Sequence, residues 1–518
     1  MANQRLNTLA KGAVLTGVGM FASKIFTYFY RAIVARMVGP DAYGQLSQGL
    51  MILGIATTIS LFAINQAIKK YVPEYRMDND LSSVKGAVYS ALNITLPVSI
   101  FMGVLMFISA DFLAQNFFKS PAVAPVIKIL AFVPPFSVFS RVSISTTVAY
   151  KQLKYRVITN QFFQNIVQLI FTIGFVVLGW GVAGAAGGWL LGVVLSSLLG
   201  FYFMEFKVGP IIRSKESVNF QRRKMIRYSY PLVLSGMIGT ILGWADTAFL
   251  GYFMDDATVG FYNAALPTAA LIMIPYKAFN SLALPSMSEA EKEGKGLKKM
   301  LKTLTRWTFY LAFPAFMLMF LFSEQVLHIL FGSQYTVASN VLVILAVGQL
   351  YSSAVGHLDQ VLQSIEKNHI LFRNSIAQLA LNMALNFVLI PDFGLGLGMI
   401  GAALATAGST IFISTLLLLE VYYFEGTHPF SRDTWKPVVA AVPGLILVYL
   451  GLNLLWNTVP VWALIPGGII FGVMFVACLV LLGGIKEDDR DIIVGIGRRM
   501  NRGEEADKIA DLLIRQSK

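Results

Sequence analysis

The sequence is poor in charge. Lys, Arg, Asp and Glu together make up 13% of its 518 residues, about half of the roughly 25% usual in soluble globular domains. So few charges do not cover the surface of a water-soluble globular chain of this length. Cysteine is almost absent: Cys478 stands alone in the apolar run 475–482, so no internal disulfide or thiolate metal cluster forms. Histidine is scarce and scattered, at His328, His357, His369 and His428, and no HExxH, phosphate loop or GxSxG in a strand–turn–helix setting accompanies it. The stretch Gly394-Leu395-Gly396-Leu397-Gly398 follows no strand and falls at a turn between apolar runs, so it is not a nucleotide fingerprint. Sizeable loops on one side of the chain are missing too, leaving no room for a catalytic domain. These absences predict a protein that is not an enzyme, with no metal site and no bound cofactor.

What is present is apolar residue after apolar residue. The chain is 56% hydrophobic with a mean hydropathy of +0.65. About fourteen apolar runs, from 10–37 to 461–484, are long enough to cross a bilayer core of roughly 30 Å. Strict alternation is absent, and lipid demands that backbone polar groups be paired within the segment, so the fold class is an all-α polytopic membrane protein rather than a β-barrel. The first run follows Arg5 and Lys11 but contains Lys24, Arg31 and Arg36 and lacks a small-residue cleavage site; it reads as a retained span, not a signal peptide.

The net charge of +13 does not mark a nucleic-acid binder, because the basic residues lie between spans and not on one face. Most fall in alternate connections: Lys69, Lys70 and Arg76; Lys151, Lys154 and Arg156; Arg213 through Arg227; Lys298 through Arg306; and the tail. The opposite connections hold only Lys119. This asymmetry predicts a multi-pass protein of the cell (plasma or inner) membrane with both termini cytoplasmic and an even number of spans.

The chain also repeats itself. Asn165 and the triplet Gly184-Ala185-Ala186 recur as Asn382 and Gly401-Ala402-Ala403, displaced by a constant 217 residues. The turn before Gly44 recurs before Gly260. Copies separated by an even number of spans share one orientation, which predicts two pseudo-symmetric six-helix bundles plus a C-terminal pair. The boundaries read 1–204 for the N-terminal bundle, 205–225 for a cytoplasmic linker, 226–424 for the C-terminal bundle, 437–484 for the accessory pair and 485–518 for a cytoplasmic tail.

Ionisable residues within spans are costly in lipid and mark a cavity or an internal pair. Lys24 and Arg31, seven residues apart, share a helical face with Tyr28 between them. Arg141 and Lys277 lie in spans four and eight, Asp246 and Asp359 in spans seven and ten. The cations suit a phosphate or diphosphate group in a low-dielectric cavity, and Tyr28 and Tyr30 suit stacking on sugar rings. Asp246 and Asp359 either pair with Arg31 and Lys277 to lock the bundles or bind a coupling ion, H⁺ or Na⁺. Pro267 and Pro275, both in span eight, form a candidate hinge.

The stretch Arg31-Ala32-Ile33-Val34-Ala35-Arg36-Met37-Val38-Gly39-Pro40, with Asp41-Ala42-Tyr43-Gly44 after it, resembles the opening of polysaccharide-biosynthesis flippases of the O-antigen type. Asp246, Gly251-Tyr252-Phe253 and Val259-Gly260-Phe261-Tyr262-Asn263-Ala264-Ala265 are similar to that family's seventh and eighth spans. The likeness runs over nearly the whole chain, and the superfamily also includes lipid II flippases and multidrug exporters. It implies two bundles cycling between inward- and outward-open states, with Lys24, Arg31, Arg141, Lys277, Tyr28 and Tyr30 engaging a polyprenyl-linked glycan. Lys24 falls where lipid II flippases carry a cavity arginine, whereas their second arginine falls at Tyr30, which favours a different glycan. The function expected is a flippase for a polyprenyl-(di)phosphate-linked oligosaccharide. Its partners are that lipid and the bilayer, with no nucleic acid and no obligate protein partner. The alternative is an ion-coupled exporter of organic cations.

Overall fold

In a computed structural model of the chain, the residues described are 2–280, 283, 287, 296–455 and 460–484, with side chains from Phe26 onward except residues 453 and 455. The tail at 485–518, expected to lie in the cytoplasm, is outside them. Every regular element among the described residues is helical, as the apolar runs require. Eleven helical stretches are long and apolar enough to cross a membrane. Two of them, Phe26–Met77 and Leu153–Val208, have 52 and 56 residues, which at 1.5 Å per residue is more than twice the bilayer core. Each is broken by glycine at positive φ, Gly39 at 81° and Gly179 at 88°, a backbone region open to glycine at little cost. Each therefore crosses twice. With the helix Asn368–Leu389 added, the number of spans is about fourteen.

The chain forms two compact units, Met1–Ala264 with Leu379–Ala405, and Ala265–Gln378 with Thr406–Lys518. In the first, α1 (Ala2–Leu61), α2 (Ile64–Met77), α3 (Leu81–Phe112), α4 (Val123–Leu130), α5 (Val133–Ala149), α6 (Leu153–Arg156), α7 (Gln164–Phe175), α8 (Gly181–Tyr202) and α9 (Arg222–Phe253) follow one another. Small residues let these helices approach closely, as they do in membranes generally: a Cβ on Gly188 would sit 2.2 Å from Thr172 Oγ1 and one on Gly192 2.1 Å from Gln168 Cγ. Large apolar side chains such as Phe101, Ile108 and Phe112 are exposed, the inside-out pattern of a surface that faces lipid.

The stretch after α8 is tied down. Glu205, only 1% exposed, accepts hydrogen bonds from the backbone N–H of Ile211, Ile212 and Arg213 at 3.1, 2.9 and 2.8 Å. The buried Lys85 of α3 donates to the carbonyls of Ser214 and Glu216 at 2.6 and 3.1 Å. Residues 205–221 are thus a strap docked on the start of α3 and not a free tether.

The second unit packs Leu297–Leu321 beside Ser339–Val355 and the C-terminal pair Lys436–Leu455 and Leu464–Leu481. Phe309, Phe313, Phe322, Phe471 and Phe475 form the core of that packing. The helix Asp256–Ala269 (α10), which contains Pro267, passes into a tighter 3₁₀ turn at Ala270–Met273. Regular α-geometry therefore breaks between Pro267 and Pro275, where the sequence places a hinge.

Candidate functional site

Three clusters within the first unit carry its internal polar chemistry. The first surrounds Arg31. Halfway down α1, Arg31 lines a small pocket with Tyr30, Tyr43, Trp189, Trp244 and Asn263. Tyr30 is buried; its hydroxyl meets Thr172 Oγ1 at 3.3 Å and its ring lies 6.0 Å from that of Trp189. Tyr28 is buried as well, edge-on to Phe29 at 6.3 Å. Of the residues singled out from sequence, the structure therefore brings Arg31 and Tyr30 into one aromatic-walled pocket and packs Tyr28 inside the fold. Lys24 stands on the same helix, but its side chain lies outside the described residues.

The second cluster is cationic. Arg141 on α5 lies within electrostatic reach of Lys69 on α2 and Arg156 on α6, and all three repel one another. Arg141 is exposed, and Lys69 and Arg156 are half-buried. Among the described residues, none of the three forms an ion pair with a carboxylate; the ion pairs that do form there include Lys128–Asp111, Arg213–Glu205, Arg373–Glu420 and Lys436–Asp433. Like charges held close together repel one another, so this arrangement is complementary to an anion. In sequence, Lys69 and Arg156 read only as markers of membrane orientation; the packing of α2 and α6 on α5 brings them into electrostatic reach of Arg141.

The third cluster is the buried carboxylate of Asp246 on α9, 5% exposed. It accepts hydrogen bonds from the Tyr262 hydroxyl, from Asn386 Nδ2 at 2.8 Å and from Asn382 Nδ2 at 3.2 Å. Asn386 Nδ2 also reaches Asn382 Oδ1 at 3.1 Å, while Asn386 Oδ1 is buried without a hydrogen-bond partner. The expected pair of Arg31 with Asp246 is not formed among the described residues. Neutral donors hold the carboxylate instead. The carboxylate is thus met by one O–H and two N–H donors, and the Asn386 amide oxygen adds a buried acceptor of the kind that a proton or a hard cation takes. Asn382 is visible in sequence only as a marker of the repeat. Asn386, one helical turn further on the same face, gives no signal there.

Near these clusters, the two repeated turns meet. A Cβ on Gly44 would lie 1.8 Å from the Asp256 carbonyl oxygen, and one on Gly260 2.1 Å from the Pro40 carbonyl oxygen. The contact is reciprocal, as a pseudo-twofold relation demands. The Asp256 carboxylate latches it, accepting hydrogen bonds from Gln45 at 2.9 Å, Gln48 at 3.0 Å and Ser120 at 2.6 Å.

In the second unit, Asp359 accepts hydrogen bonds from Tyr276 at 2.7 Å and Gln360 at 2.9 Å. Tyr276 stacks on His357 with ring centroids 4.6 Å apart, and His357 Nε2 meets Thr308 Oγ1 at 3.1 Å. Lys277, one residue beyond Tyr276, is exposed. No group of three or more His, Cys, Asp and Glu suited to a metal occurs among the described residues.

The chain is 28% identical over 231 residues to the "Probable low-salt glycan biosynthesis flippase Agl15" of Haloferax volcanii, an alignment covering 43% of this chain and 48% of that relative; the chain thus spans about half the length of that relative. Its fold matches the lipid II flippase MurJ in an inward closed conformation, with a TM-score of 0.73 at 16% identity over 93% of this chain and 100% of that one. It also matches a multidrug resistance MATE family transporter of the MOP superfamily in its inward-facing conformation, with a TM-score of 0.65 at 17% identity over 78% of this chain and 96% of that one. The polysaccharide biosynthesis protein family model covers residues 33–340, more than half of the sequence. The chain belongs to that family.

Proposed function

We propose that the protein is a flippase which carries a polyprenyl-(di)phosphate-linked oligosaccharide from the cytoplasmic to the external leaflet by alternating access. One observation carries the reading: Lys69, Arg141 and Arg156 gather on α2, α5 and α6 with no carboxylate paired to them among the described residues. A passenger with a phosphate or diphosphate offsets that repulsion through charge-assisted hydrogen bonds, whereas an organic cation adds to it. Arg31, walled by Tyr30, Trp189 and Trp244, offers a second point for phosphate beside aromatic faces suited to sugar rings. Membership in a polysaccharide biosynthesis family agrees with a glycan passenger.

In this reading the ends of α2, α5 and α6 that bear the basic cluster face the cytoplasm, the protein sits in the cell membrane, and the turns of Gly44 and Gly260 close the external side. Asp246 is the coupling carboxylate, taking up Na⁺ or a proton among Tyr262, Asn382 and Asn386. The alternative, an ion-coupled exporter of organic cations, draws on the same fold and on Asp246. The cluster of Lys69, Arg141 and Arg156 argues against it.

Purified protein in proteoliposomes with a fluorescent polyprenyl-diphosphate sugar tests the proposal. Translocation into the quencher-protected leaflet is expected for the wild type, with a decrease of about tenfold or more in Arg31→Ala and Lys24→Ala, as follows when a charge-assisted hydrogen bond to phosphate is removed. Unchanged translocation in both variants, together with robust efflux of organic cations, makes the protein an exporter.

A further inference from the structure

At the end of the first unit that bears the basic residues, away from Arg31 and Asp246, lies a second cavity of about 660 Å³. Three elements wall it: Tyr71 of α2, Phe220 and Gln221 of the docked strap, and Arg223, Lys224, Arg227 and Tyr228 of α9. The positions of the charges are unusual. α9 opens with Arg222, Arg223 and Lys224 and has no acidic residue in its first turn, although the positive end of a helix dipole favours anions and disfavours cations. Gln221, at its N-cap, makes no side-chain capping hydrogen bond to the first-turn N–H groups. On the neighbouring helix, Lys70 lies 4.5 Å from the Tyr228 ring centroid, and Lys224 lies 4.5 Å from that of Tyr71 and 4.8 Å from that of Tyr75. The carboxylate nearest in influence is Glu74, which acts on Lys224 but forms no ion pair with it among the described residues.

We infer that this cavity, which is not lined by Lys69, Arg141 or Arg156, is a binding site for a phosphate-bearing ligand at the membrane surface. A phosphate group at the start of α9 satisfies first-turn N–H groups, matches the dipole and neutralises Arg223, Lys224 and Arg227 in one stroke. The tyrosine faces supply the amphipathic wall found where a headgroup meets an acyl chain. Exposed apolar side chains on α9 beside the cavity, Ile226 and Tyr230, continue that wall toward lipid. Two sources share the chemistry: the headgroup of an anionic phospholipid, and a soluble phosphate or diphosphate. Because the docked strap supplies Phe220 and Gln221, occupancy of the cavity clamps the strap against α2 and α9. The site stands whether the passenger is a glycan lipid or an organic cation, so its test is independent of the transport assay.

The experiment titrates delipidated full-length protein with short-chain dioctanoyl phosphatidylglycerol below its micelle concentration and, in a second arm, with inorganic pyrophosphate. Bound ligand per chain is read by native mass spectrometry for the lipid and by calorimetry for pyrophosphate. The wild type is expected to bind one equivalent saturably in at least one arm; the arm that binds more tightly names the source. Arg223→Gln/Arg227→Gln is expected to weaken that binding about tenfold or more, in line with the removal of two partly solvated charges. A single Lys224→Gln change, which removes one charge from an exposed position and spares the fold, is expected to weaken it by a smaller factor, and Arg223→Lys to restore most of it. The same affinity in the wild type and in all three variants, or no saturable binding in either arm, overturns the site.

Discussion

Replacing Gly44 by valine is expected to stop translocation, because it forbids the close backbone contact with the Gly260 turn that, in the proposed cycle, closes the external side. A β-carbon there would meet the Asp256 carbonyl oxygen at 1.8 Å. Both partners are backbone, so neither moves aside by changing rotamer. The clash goes beyond ordinary overpacking, which already costs about 1–3 kcal/mol, and a shift of about 2.8 kcal/mol changes the ratio of two conformations roughly a hundredfold. Gly260→Val attacks the same contact from the other side, through the Pro40 carbonyl oxygen, and is expected to do the same. Gly239, in α9, has nothing within 4 Å of its Cβ direction, so Gly239→Val serves as a control with near-normal activity. Spin labels at the exposed positions Asp41 and Asp255, introduced as cysteines with Cys478 changed to alanine, report the gap by electron–electron distance measurement. The wild type is expected to populate a short distance that disappears, along with transport, in the Gly44→Val and Gly260→Val variants. If those variants keep both the short distance and the wild-type rate, closure at the glycine contact is no part of the cycle.

Asp246→Asn is expected to have the second large effect, and for a different reason. The substitution keeps the shape and removes the charge. Tyr262, Asn382 and Asn386 all direct donors at this carboxylate; an asparagine turns one of its two acceptors into a further donor, leaving a buried donor unsatisfied at a cost of about 1–3 kcal/mol. If Asp246 takes up the coupling ion, the variant loses its response to a Na⁺ or proton gradient and its uphill transport falls about tenfold or more, as expected when a charged ligand of the ion is gone. Proteoliposomes with each gradient imposed and then collapsed by an ionophore separate the two ions. A variant that folds, transports at the wild-type rate and still responds to the gradient shows Asp246 to be a packing residue.

Some of this is plain in the sequence and some of it is hidden. Spans are legible because lipid imposes one rule on every crossing, roughly 20 apolar residues with the backbone paired internally, and Gly39 and Gly179 mark where two long helices turn back. The repeat is legible in Gly44 and Gly260, but their reciprocal backbone contact is not, since displacement along a chain says nothing of approach across it. Charges inside spans stand out at Arg31, Arg141 and Asp246 because each is expensive in lipid. Their partners do not stand out. Asn382 and Asn386 are neutral and carry no such cost, and Lys69 and Arg156 sit near span ends where basic residues are expected on topology alone. The linker reads as cytoplasmic from its charge; Glu205 and Lys85 hold it through backbone atoms, which leave no trace in composition.

Whether the cations inside the first unit exist to meet a negative passenger decides between a flippase and an exporter. A single comparison addresses it: in the same proteoliposomes, the translocation of one fluorescent polyprenyl sugar linked through a diphosphate and of its neutral glycoside counterpart. The diphosphate form is expected to move about tenfold faster or more, with Arg141→Ala and Lys69→Ala erasing the difference, since each charge-assisted hydrogen bond to the passenger is worth about 1.5–3 kcal/mol. Equal rates for the two lipids, unaffected by either variant, would mean that the cations serve some other end and that the passenger is not chosen for its negative charge.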